Sequence, residues 1–238
     1  MEAYVMDAFS TRVFGGNQAG VALPERELPD ARMQQVAAEF KHSETAFVRL
    51  EKDGSVTLRY FTPAGEVELC GHATVASFAL LRQLGRIGDG DVTAHTKAGE
   101  LSVTVRGGTV WMDMAAPRLL RELGEDEWAA FYEAYGLTTA DRPEGLTPAI
   151  VSTGLADVML PVRDHDTLMR AVQNEAAVTA LSKQYDVTGV HMFCLGDGCT
   201  AYCSNYAPLY DIPEECATGT SNGALTYYLY LRGIVQPG

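Results

Sequence analysis

The chain has 238 residues, 18 Lys and Arg against 31 Asp and Glu, and a formal net charge of −13. A nucleic-acid backbone or an anionic membrane would repel that charge at long range, which sets both aside as partners. A composition of 47% hydrophobic and 21% charged residues is that of a folded globular chain, long enough for one large domain or two small ones.

In chain order, residues 3–9 read as a strand, followed by the turn-rich Gly15-Gly16-Asn17 and a second strand over 20–23 that stops at Pro24. Residues 29–40 carry helical spacing in Met33, Val36, Ala37 and Phe40. Residues 45–50 and 55–61 are β-branched and aromatic around Lys52-Asp53-Gly54, a hairpin signal. Residues 73–84 form a strongly apolar helix ended at Gly85. Strands follow over 91–96, 101–105 and 109–114. Pro117 opens an acidic region of helical character, with a helix over 125–135. Strands return over 149–153 and 158–162, a helix over 168–184, and a hairpin from 190–195 and 200–206 around Gly196-Asp197-Gly198. The last element, 220–231, is a second strongly apolar helix closed by Gly233. The element order restarts near Pro117, so the expected division is 1–116 with a central helix at 72–84 and 117–238 with a central helix at 219–231.

The start of the chain carries Asp7 and no basic stretch leading into an apolar run, unlike a signal peptide. The most apolar stretch, 73–81, contains Thr74 and Ser77 and is too short to cross a bilayer. The expectation is a cytoplasmic protein whose five cysteines are reduced thiols.

Two segments resemble one another. FTPAGEVELCGHATVASFALLRQLG (61–85) and YAPLYDIPEECATGTSNGALTYYLYLRG (206–233) each run aromatic-x-Pro, acidic segment, Cys, small or polar residues, apolar helix, Gly. Both helices are apolar nearly all round, so both are expected inside a sheet wrapped about them, with Cys70 and Cys216 just before their N-termini. Such N-termini present unpaired N–H groups and a positive dipole end, suited to a carboxylate, and lower the pKa of a nearby thiol.

Each candidate has a plainer reading. Glu44, between Ser43 and Thr45, could be a capping or surface carboxylate; in a buried cleft it would shuttle protons. Cys70 alone would be core filler. His72 could simply bond the first helical turn, and metal ligation is disfavoured because no second His or carboxylate stands near it at ligand spacing. Asn17 is either a turn residue or a ligand for the substrate carboxylate. Cys194, Cys199 and Cys203, with His191 nearby, straddle a hairpin without a C-x2-C knuckle and read as small thiols on strands rather than a metal or iron–sulfur site. No phosphate loop, dinucleotide fingerprint or nucleophile elbow is present.

At DAFS…F-x-GN (7–17), SETAF (43–47), FTP…ELCGHAT (61–74), VSTG (151–154) and EECATGTSNGAL (214–225) the chain resembles the phenazine-biosynthesis PhzF-like isomerase family, which shares the diaminopimelate epimerase fold. The resemblance implies an α/β (α+β) protein of two pseudo-symmetric halves, each a mixed β-sheet curled around a central helix, with the active site in the cleft between them. It implies a cofactor-independent isomerase, commonly a homodimer, acting on a small carboxylate-bearing substrate. By the same resemblance Glu44 is the proton-transferring acid/base. Gly71 and His72 line the site, Glu215 takes the place of the family's second-half acidic residue, and Thr218, Gly219 and Thr220 open the second helix. Two departures stand out. Cys216 replaces the family's usual proline, which puts cysteines at both positions where the diaminopimelate epimerase branch has catalytic thiols. The family also continues past the second helix with closing strands, whereas this sequence stops at Gly238, so those strands are expected to be missing.

Three readings follow. The first is a Glu44-based proton-transfer isomerase. The second is a two-base amino-acid racemase or epimerase, with Cys70 and Cys216 on opposite faces of the reacting carbon. The third is a non-catalytic small-molecule binding protein of the same fold.

Overall fold

In the computed structural model, which describes residues 1–12 and 14–236, the chain forms two compact units, Met1–Asp113 and Met114–Gly238. No helix among the described residues is long and apolar enough to cross a membrane.

The first unit contains β1 (Glu2–Ala8), β2 (Asn17–Leu23), α1 (Asp30–Phe40), β3 (Thr45–Leu50), β4 (Val56–Phe61), β5 (Glu66–Val67), α2 (Gly71–Gln83), β6 (Gly90–Thr96), β7 (Gly99–Arg106) and β8 (Thr109–Met112). The eight strands make one sheet in the order β1-β2-β3-β4-β6-β7-β8, with the short β5 on β4. The sheet is mixed: β2–β3 and β4–β6 are parallel and the other pairs antiparallel. Both ends of the sheet, β1 and β8, pack on α2, so the sheet curls around the helix. Strand alternation sorts the side chains. Val21, Ala46, Val48, Leu58 and Tyr60 face inward, onto the core with Phe78, Leu80 and Leu81 of α2. Their neighbours Ala22, Phe47 and Phe61 face outward and are covered by Met33 and Ala37 of α1.

The second unit contains β9 (Arg118–Glu122), α3 (Glu125–Glu133), β10 (Ala149–Ser152), β11 (Ala156–Pro161), α4 (His165–Arg170), α5 (Glu175–Tyr185), β12 (Gly189–Leu195), β13 (Ala201–Ala207), β14 (Ile212–Glu215) and α6 (Gly219–Leu231). Its six strands run β14-β13-β12-β11-β10-β9, with only β11–β12 parallel. One face packs on α6 through Ala149, Val151, Met159 and Phe193. The other packs, through Ile150, Val158, Leu160, Val190 and Met192, on residues of α3, α4 and α5.

Two expectations are corrected. Residues 168–184 form two helices rather than one. Asp164 caps α4 through the Thr167 amide (2.8 Å) and Asn174 caps α5 through the Ala177 amide (3.2 Å). Between them the chain is tied instead to the end of α3, with Val172 N–H donating to Tyr135 C=O and Asn174 N–H to Ala134 C=O. The region after Pro117 begins as a strand, not a helix. Ladder pairing of β9 with β10 overrides the helical preference of Arg-Leu-Leu-Arg-Glu. The two hairpins lie where expected, as β3–β4 and β12–β13.

Candidate active site

Glu44, Cys70 and His72 converge inside the first unit. Glu44 closes the segment between α1 and β3, and its carbonyl accepts from Gly20 N–H at 3.0 Å. A side chain on Gly20 would come within 2.7 Å of Phe40 and Thr45, so glycine permits this close approach. Cys70 is the N-cap of α2. Its carbonyl accepts from both the amide (3.0 Å) and the hydroxyl (2.7 Å) of Thr74, and that hydroxyl is held by Tyr60 at 2.6 Å. His72 stands in the first turn, with Nδ1 3.4 Å from the Cys70 sulfur and Nε2 3.4 Å from Glu44 Oε2. All three residues are buried.

Burial holds the His72 imidazole below its ordinary pKa, against the pull of the Glu44 charge and a hydrogen bond to the Gln18 backbone. A neutral imidazole therefore faces the carboxylate at neutral pH. Their approach is within ion-pair range but lacks hydrogen-bond geometry, and Glu44 Oε2 is buried with no hydrogen-bond donor on it. That oxygen is therefore free of competing donors and open to a substrate proton. Asn17 is buried at the start of β2, next in sequence to the residue that bonds His72. Gly71 is the first residue of α2.

The remaining expected residues gather at the start of α6. Thr218 is its N-cap, with the side chain accepting from Ser221 N–H at 3.4 Å. Gly219 and Thr220 form the first turn, and Thr220 C=O accepts from the Thr153 hydroxyl at 2.8 Å. Glu215 ends β14 and is half-buried. Cys216 is exposed and lies two residues before the cap, whereas Cys70 is the cap itself and is buried. The two thiols of the sequence repeat thus occupy different positions relative to their helices.

A family model described as phenazine biosynthesis-like protein matches residues 6–237. The chain belongs to this family. A curated relative, the uncharacterized isomerase YddE of Escherichia coli O157:H7, is 34% identical, with 98% of this chain and 80% of the relative covered. The crystal structure of a PhzF-family phenazine biosynthesis protein from Bacillus anthracis superposes with a TM-score of 0.86 at 27% identity, covering 96% of this chain and 80% of that one. A probable proline racemase from Agrobacterium radiobacter K84, with bound carbonate, shares the fold at a TM-score of 0.62 and 13% identity, with 100% of this chain and 79% of that one covered. The chain is accordingly an enzyme of the isomerase and epimerase kind, with the racemase-like α/β fold.

Beneath the α6 end of this PhzF-family chain lies a polar layer that sequence reasoning missed. Ser221 Oγ donates to Asp157 Oδ2 at 2.6 Å and contacts Asn205 at 3.3 Å. Asp157 and His191 project from β11 and β12 on the face that carries Met159 and Phe193 to α6. Burial raises the Asp157 pKa and pushes that of His191 down to about 4. The available signal was polar residues interrupting apolar strands, in Ala-Asp157-Val-Met-Leu and Val-His191-Met-Phe.

The hairpin cysteines do not converge. Cys194 pairs with Tyr202 and Cys203 with Phe193, so the two thiols point to opposite faces of the sheet, and Cys199 is exposed in the turn. Among the described residues, the group of His, Cys and carboxylate side chains close enough to share a metal ion is Glu44, Cys70 and His72. Spacing along the chain hid it, since Glu44 reaches His72 only through the fold.

Proposed function

We propose that this chain is a cofactor-independent isomerase that removes and returns a proton on a small carboxylate-bearing metabolite. Glu44 is the acid/base, and His72 orients the substrate as a neutral imidazole. Backbone N–H groups in the first turn of α2, beginning at Gly71, bind the carboxylate or the developing enolate, as preorganised donors do best out of water. Asn17, Glu215, Thr218, Gly219 and Thr220 bind the other polar groups. The observation that carries this reading is Glu44 Oε2, buried without a hydrogen-bond donor and 3.4 Å from His72.

A second reading is a two-thiol racemase using Cys70 and Cys216. It is favoured by the contact of the Cys70 sulfur with His72 at 3.4 Å, which gives that thiol a base. The exposure of Cys216 weighs against it.

Incubation with amino, hydroxy and dienoic acids in D2O, followed by NMR, separates the two. Glu44→Gln abolishing deuterium uptake while Cys216→Ser retains it supports the first reading, and the opposite pattern overturns it. The net charge of −13 and five thiols without a disulfide support a cytoplasmic setting without nucleic-acid or membrane partners. Assembly as a homodimer, the family habit, is tested by light scattering.

A further inference from the structure

We propose that a cleft in the second unit, between the C-terminal end of α5 and the turn joining β10 to β11, binds a free α-amino acid with an apolar side chain. The cleft measures about 380 Å³, within the range of about 300–1,000 Å³ usual for small-molecule sites. Three pieces of chain wall it. Leu155 stands in the β10–β11 turn, Ser182, Lys183 and Asp186 at the end of α5, and Leu209 and Tyr210 in the short helical turn Pro208–Tyr210. Backbone bonds fix two of these walls, since Thr188 N–H donates to Ala156 C=O at 2.7 Å and Val187 N–H to Ser182 C=O at 3.0 Å.

The unmet groups of the cleft decide the chemistry of its ligand. Lys183 and Asp186 are exposed and three residues apart, yet neither forms an ion pair with the other or with any described residue. The C-terminus of a helix carries partial negative charge and, with the Asp186 carboxylate that follows α5, favours an ammonium group. The Lys183 ammonium favours a carboxylate. A zwitterion answers both charges, whereas a simple amine or acid answers one. The hydroxyl of Ser182, a residue only 1% exposed, has no hydrogen-bond partner. A polar group buried in that state costs free energy until a partner reaches it. Leu155 and Tyr210, 49% and 57% exposed, offer apolar surface that a ligand side chain would cover. All these residues lie in the second unit, and none is among those assigned above to proton transfer or substrate.

The test is calorimetric titration of the full chain with L-leucine, 4-methylpentanoate and 3-methylbutylamine, which share one side chain and differ in their charged groups. L-Leucine is expected to bind saturably, and the two singly charged analogues about fivefold more weakly, the factor an exposed ion pair supplies at the upper end of its range. Lys183→Met and Asp186→Asn should each weaken L-leucine binding by a similar factor. Ser182→Ala should also weaken it while leaving the urea midpoint of the free chain unchanged or higher, because a hydroxyl without a partner adds nothing to the fold. Binding should survive in Glu44→Gln, since Glu44 lies in the other unit. No saturable binding, equal affinity for the three probes, indifference to Lys183→Met and Asp186→Asn, or loss in Glu44→Gln overturns the proposal. A lowered midpoint in Ser182→Ala with unchanged binding does so as well. Heat of binding is read here and substrate deuterium in the exchange experiment, so either can fail without the other.

Discussion

Nε2 of His72 stands 3.4 Å from Oε2 of Glu44, with both side chains buried and no hydrogen bond between them. A substrate proton or hydroxyl entering this contact would complete it. Glu44→Gln keeps the shape but removes the basic lone pair. Deuterium exchange into any active substrate is expected to fall about 10²- to 10⁴-fold, the range for loss of a general acid/base. Retained exchange in this variant would remove Glu44 from the chemistry.

The pH dependence of stability is expected to carry the signature of His191. Its folded pKa is about 4, below the ordinary 6.5, so the unfolded chain takes up the proton first as pH falls. The stabilisation is therefore complete above pH 6.5 and is lost as pH falls toward 4, by up to about 3 kcal/mol. His72, also lowered by burial, acts in the same sense. Asp157 acts oppositely, because its raised pKa contributes stability at low pH that is lost as pH rises through its folded value. Urea unfolding at pH 7 and pH 4.5 should show a smaller acid loss in His191→Gln than in the parent. Equal losses would refute the assignment.

Ser221→Ala removes the hydroxyl that donates to the fully buried Asp157 carboxyl. Stability should drop by about 1–3 kcal/mol, the cost of a buried acceptor losing its donor. Gln184→Ala, exposed on α5, serves as the control in the same urea titration.

Leu81→Ala should destabilise by about 2–5 kcal/mol, because Leu81 of α2 is enclosed by the curled sheet. Leu231→Ala, at the exposed end of α6, should change stability by no more than about 0.5 kcal/mol. Comparable losses from the two would contradict the enclosure of α2.

Much of this was legible in the sequence because burial writes itself into composition. The two all-round apolar helices announced that something surrounds them, and the β-branched and aromatic 45–50 and 55–61 segments around Lys52-Asp53-Gly54 marked a hairpin. The start of β9 was not legible, since Arg-Leu-Leu-Arg-Glu suits a helix and becomes a strand only through its partner β10. The break between α4 and α5 was carried by Asn174 alone, whose capping role shows only when Ala177 is placed above it. Glu44 and His72 were each identifiable from family motifs, yet their contact depends on β2, β3 and α2 meeting. The Asp157–Ser221 pair joins a strand to a helix far along the chain, and its local trace was a carboxylate interrupting an apolar strand, which names no partner.

The parallel pairing of β4 with β6 rests on Val56 with Ala94 and Thr57 with His95, and the chain between these strands runs through α2. In the chain the helix therefore lies between β4 and its parallel neighbour β6, and β7 and β8 continue the sheet beyond that pairing. Long-range crossover pairing of this kind is slow to form. Refolding of this unit is expected to be limited by contacts of this kind, which join segments far apart in the chain.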